Sequence, residues 1–139
     1  MTYHAQPIIE DYSAAVEGWL DLKMLFGEAP PFYMAEIKSV SQREVGGVTE
    51  LVLKALCPVK FDHVTEVPTD DRVLCEIAFI NIGQFILNED RNMIGRTIYR
   101  FAISSASQLG FWLIDIEGVG LIFECEKIVI YRVVKGLAL

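Results

Sequence analysis

Residues 58–88, PVKFDHVTEVPTDDRVLCEIAFINIGQFILN, decide the fold. The segment opens extended, punctuated by Pro58 and Pro68, and carries His63, one of two histidines in the chain. It then crosses an acidic step, Asp70-Asp71, and enters an apolar run broken by one carboxylate, Glu76. The Val and Ile content of Arg72–Leu87 suits a buried strand as well as a helix. Three features favour the helix. Pro68-Thr69-Asp70-Asp71 makes a good start, with Thr69 placed to cap and two acids facing the helix dipole. Sixteen residues is long for a strand, and Asn88 suits a left-handed exit. A helix apolar nearly all round has to be enclosed on most sides.

Outward from that run, the chain punctuates clearly. From Asp11 to Phe26 the positions Tyr12, Ala15, Val16, Trp19, Leu20 and Met24 fall at helical spacing, with Asp11 or Ser13 to cap the start and Gly27 to end it. Leu22, Leu25 and Phe26 widen the apolar face, so this helix is expected to cover a sheet or a neighbouring subunit. Ala29-Pro30-Pro31 forces an extended chain. Phe32–Val40, the link SQREVGG and Val48–Cys57 read as a hairpin-like pair, because Leu51, Leu53, Ala55 and Cys57 alternate with Glu50 and Lys54. Strand signals return over Thr97–Ser104 and Leu109–Ile116, and Gly118 with Gly120 turns the chain into Leu121–Val134. Long antiparallel strands and one enclosed helix give an α+β expectation: a single domain, 1–139, with a curved antiparallel sheet wrapped around a central helix and an N-terminal helix beside it.

The chain has 12 basic and 19 acidic residues, a net charge of −7, and no basic cluster. That balance argues against a nucleic-acid or anionic-membrane partner. Hydrophobic residues make up 53%, enough to expect apolar surface buried between subunits, most simply in a homodimer. Cys57, Cys75 and Cys125 are odd in number and widely spaced, so they read as reduced core residues of a cytoplasmic protein with no metal site. Neither a signal peptide nor a transmembrane span is expected.

Elimination of water beside a thioester carbonyl needs a base, an acid and donors for the carbonyl oxygen. A histidine titrates near neutrality, which suits His63 to the role of base, and a carboxyl held in apolar surroundings, as Glu76 would be on that helix, is expected to keep its proton. Amides at the start of an Asp70–Leu87 helix would supply the donors. In these features the sequence resembles the β-hydroxyacyl-acyl-carrier-protein dehydratases of the hotdog fold. The resemblance rests on the EDYSAAVEGWLDLKMLFGEAPPFYMAEIKSV segment, on Pro58 and Pro68 each five residues from His63, and on VLCEIAFINIG with Glu76 and Gly83 seven apart.

The resemblance implies a hotdog homodimer. His63 of one subunit and Glu76 of the other would be catalytic, the amides of Asp71 and Arg72 would lie over the thioester carbonyl, and Phe61 would sit at the substrate. It implies no dissociable cofactor or metal, since the substrate is carried on phosphopantetheine, with acyl carrier protein as partner. The chain departs from the family at Val64-Thr65, Asp70-Asp71 and Ile80. Two alternatives therefore stand beside dehydration: thioester hydrolysis with Glu76 or Asp62 activating water, and a catalytically silent subunit or acyl-carrier- or protein-binding module.

Overall fold

The computed structural model describes residues 12–27, 32–62, 64–65, 67–69, 71–88 and 93–135. A 3-10 turn, Tyr12–Ala14, leads to β1 (Val16–Glu17) and α1 (Trp19–Phe26). The remaining elements are strands: β2 (Glu36–Val45), β3 (Val48–Pro58), β4 (Arg72–Asn88), β5 (Arg100–Ser105), β6 (Trp112–Glu117) and β7 (Leu121–Lys135). They form one sheet in the order β2-β3-β4-β7-β6-β5, antiparallel throughout, with β1 added parallel to β7. Among the described residues no helix is long and apolar enough to cross a membrane.

The expected central helix is β4, and with it the hotdog architecture is overturned. Along β4 the side chains of Val73, Cys75, Ile77 and Phe79 enter the core, each at most 3% exposed. Leu74, Glu76, Ala78 and Ile80 alternate with them and face away. The period is therefore 2, hidden in the sequence because three of the four outward residues are also apolar. A straight strand of 17 residues would run about 55 Å. A 139-residue domain is only roughly 37 Å across, so the strand has to coil. It does so through irregularities at Glu76/Ile77, Ile82/Gln84 and Phe85/Leu87, and through Asn81, whose φ is +60°.

Coiling brings the two edges of the sheet together. The lead-in to β5 bonds to the start of β2 through Met34 N–H to Ile98 O (2.8 Å), Ile98 N–H to Ala35 O (2.8 Å), Ile37 N–H to Arg96 O (2.9 Å) and Gly95 N–H to Ile37 O (2.8 Å). The sheet is thereby a closed barrel. Its interior holds rings in place of a helix. Phe32 and Phe101 lie 4.8 Å apart between centroids, Phe101 and Phe79 6.2 Å, and Phe79 and Phe123 4.9 Å.

The N-terminal helix is shorter than its spacing predicts. Gly18, at φ +87°, breaks it: a side chain is strained in that conformation, and a Cβ there would lie 3.2 Å from the Ile130 side chain, so the close pass by β7 favours glycine. Gly27 ends α1 as expected, its N–H donating to Lys23 O at 2.9 Å. Trp19, Leu22 and Phe26 of α1 are buried and join the ring chain through Phe26 and Phe32, 5.5 Å apart. The expected SQREVGG link is mostly strand. β2 runs to Val45, and Gly46-Gly47, both at positive φ, form the two-residue turn that pairs Val45 with Val48.

Candidate functional site

Of the residues expected to carry chemistry, His63 lies outside the described residues. Glu76 sits on the outward face of β4, opposite Lys54 on β3 and Arg132 on β7. No helix starts at Asp71 or Arg72, so the expected cluster of free N-terminal amides is not formed there. Arg72 opens β4 opposite Pro58, and its guanidinium buries Nη1 with no hydrogen-bond partner among the described residues.

The link between β3 and β4 is a hairpin arm. Val59 N–H donates to Asp71 O (3.2 Å), Thr69 N–H to Lys60 O (2.9 Å) and Asp62 N–H to Val67 O (2.9 Å), while Phe61 bridges Pro68. Thr69, expected as a helix cap, serves this arm instead. Its hydroxyl donates to Lys60 O at 3.1 Å and accepts from Asp71 N–H at 3.4 Å. The Asp71 carboxylate lies 3.4 Å from Lys60 Nζ. Asp62 accepts from the amides of Val64 (2.8 Å) and Thr65 (2.9 Å), which hold its carboxyl below the usual aspartate range. The Phe61 ring lies 5.8 Å from that of Tyr33. The arm is built by turn chemistry, and Asp62 and Thr69 spend their polar atoms holding its backbone.

The three thiols are core residues, as the sequence predicts. Burial pushes Cys75 and Cys125 up to about 12 and raises Cys57 well above its ordinary value. A thiol so raised is not a nucleophile near neutral pH. Among the described residues no group of three or more His, Cys, Asp or Glu is placed to hold a metal ion.

Sequence reasoning missed two arrangements. The first is a buried carboxylate on the outside of the barrel. Glu50 is only 3% exposed, although it occupies an outward position of β3. Arg43 Nε donates to its Oε2 at 2.8 Å, and the Tyr131 hydroxyl donates to its Oε1. Arg43 and then Tyr131 hold the Glu50 carboxyl below the usual range, and the bond to Glu50 raises the Tyr131 phenol. Both oxygens of the buried carboxylate are thereby bonded within the triad, which makes it a clamp across β2, β3 and β7.

The second arrangement surrounds α1. Leu20 is 67% exposed and Met24 85% exposed, four residues apart and so on one side of the helix. A cleft of about 400 Å³ runs from Asp21, Met24 and Leu25 to Val133 and Lys135 of β7. A second, of about 340 Å³, lies on the N-terminal flank, between Ser13, Glu17, Leu20 and Asp21. The clefts exist because β6 pairs with β7 only as far as Cys125, after which β1 covers Ile128 and Val129 and α1 lies beside the end of the strand. The signal was in the sequence as an apolar helix face too wide for one contact. No protein-family model matches the chain, and neither a curated protein nor a solved structure matches it.

Proposed function

We propose that the chain is a binding module, a ring-filled barrel that docks a protein partner on the outer side of α1. The observation that carries this reading is the pair Leu20 and Met24, two large apolar side chains held out on a helix whose opposite face is anchored in the core. Single exposed apolar residues are ordinary. Such a pair, flanked by clefts and rimmed by Glu17, Asp21 and Lys135, has the anatomy of an interface: an apolar centre and a charged edge. Burying the pair in a partner removes apolar area from water without having to order the helix, which is already fixed by Trp19, Leu22 and Phe26.

This is the binding alternative drawn from the sequence, without its hotdog scaffold. The dehydratase reading placed Glu76 on a central helix, and Glu76 stands on the outer face of a strand. The barrel interior is occupied by the rings of Phe32, Phe79, Phe101 and Phe123.

Peroxide oxidation of Met24, read by mass spectrometry against the half-buried Met34 and Met93, tests the proposal. In dilute purified protein Met24 is expected to oxidise fastest of the three. In an extract of cells producing the protein, or in concentrated pure protein, it is expected to fall to or below the rate of Met34. Equal exposure of Met24 in all three preparations would overturn the reading.

A further inference from the structure

We infer that the occupant of the α1 face is a second copy of this chain, arranged about a twofold axis through the cleft between α1 and β7. The inference rests on the binding reading above and adds the partner to it. The cleft carries a carboxylate and an ammonium together, Asp21 on α1 and Lys135 at the end of β7, with Met24, Leu25 and Val133 in the same cleft. A twofold interface is self-complementary: whatever residue i meets on the partner, the partner's residue i meets here. A surface holding one acid, one base and an apolar centre satisfies that condition. Asp21 of each copy faces Lys135 of the other, and the two Met24 side chains meet near the axis. Glu17, on the neighbouring flank, is paired with Lys127 Nζ at 3.3 Å, so the charges lining the cleft are Asp21 and Lys135, one of each sign. A surface of mixed and matching charge meets that cleft without a like-charge contact, and a second copy of this chain supplies one pair for pair.

Composition points the same way, since 53% hydrophobic residues is above the usual apolar share of a soluble domain. The face is also small. α1 has eight residues and is about 12 Å long, so the interface falls at the low end of the size range, where association is weak and concentration-dependent.

Charge exchange between the two positions is the decisive test, because both side chains are exposed and neither supports the core. In sedimentation, the purified chain is expected to pass from monomer to dimer as its concentration rises. Asp21→Lys and Lys135→Asp are each expected to weaken self-association about tenfold or more, the scale of losing two facing pairs and gaining like-charge contacts. Mixing the two variants restores the dimer, since each lysine then meets an aspartate of the other chain, and the double variant Asp21→Lys/Lys135→Asp restores it within one chain. Circular dichroism of each variant confirms that α1 is intact.

Dimers that survive both single changes, or single variants that fail to rescue each other, would overturn the twofold arrangement. A chain that stays monomeric at all concentrations, while Met24 is protected in extract, overturns the second-copy inference and leaves the binding reading standing. A monomer whose Met24 is never protected overturns both.

Discussion

The interior between β4 and β7 and the outer side of α1 are both apolar, and they behave in opposite ways. In the interior, Phe79 and Phe123 meet edge to face at 84° and are fully buried. On α1, Leu20 and Met24 have the same chemistry and point into solvent. The helix itself divides the two regimes, for Trp19, Leu22 and Phe26 belong to the first and Leu20 and Met24 to the second. What separates core from exposed apolar surface here is therefore packing partners within the chain. A side chain with close-packed neighbours stabilises the fold, and one without them leaves apolar area available to a partner.

The comparison can be broken most forcefully from the inside. Phe79→Ala removes a ring that contacts both Phe101 and Phe123, and is expected to lower unfolding free energy by about 3–5 kcal/mol. Denaturant titration measures it, and a loss below about 1 kcal/mol would mean that the interior is not the tightly packed region described.

The Glu50 clamp should give an intermediate effect. Glu50→Gln weakens the bonds to Arg43 and Tyr131 and is expected to cost about 1–3 kcal/mol. Its pH dependence has a definite sign. Glu50 has a lowered pKa in the folded state, so its contribution is present above the ordinary glutamate value of 4.5 and is lost as pH falls through the folded value. Tyr131 has a raised pKa, so its contribution is present below the ordinary value of 10.0 and is lost as pH rises through the folded value. Thermal unfolding followed across pH should therefore show Glu50→Gln with flatter acid and alkaline limbs than the parent chain. Parallel curves would show that the clamp does not couple to folding.

The smallest effect on stability is expected where the effect on association is largest. Leu20→Ser with Met24→Ser should leave the unfolding free energy within about 0.5 kcal/mol of the parent, while abolishing self-association in sedimentation. A loss of stability comparable to that of Phe79→Ala would place these side chains in the core regime after all.

Much of this division was legible in the sequence where polarity alternates cleanly. In β3, Lys54 between Leu53 and Ala55 marks which way the strand faces, and the structure follows it. In β4 the outward positions Leu74, Ala78 and Ile80 are apolar as well, because the strand lies between β3 and β7. The period of 2 is erased, and the length of the run, with Asn88 as an exit, favoured a helix. Thr69 and the acids after it reinforced the error, since helix caps and tight turns draw on the same short polar side chains. Gly27 announced its turn locally. Gly18 did not, because its requirement comes from Ile130, more than a hundred positions away. The Glu50 clamp was invisible for the same reason. Arg43 and Glu50 meet through hairpin register, but Tyr131 reaches them only once the sheet has curled.

The seam that closes the barrel has a kinetic consequence. Four backbone hydrogen bonds join Met34–Ile37 to Gly95–Ile98 among the described residues, whereas β4 and β7 stay paired from Val73 to Asn88. Amide exchange at Ile37, Gly95 and Ile98 should accordingly report the cheapest opening of the wall, well below the free energy of global unfolding. Each such opening extends the free edge of β2, whose residues beyond Ile37 pair only with β3 among the described residues, and free edges are the form in which sheets recruit one another into aggregates. Lys38, Arg43 and Glu44 stand exposed along that edge, and their charges oppose strand-to-strand addition for as long as the barrel is ajar.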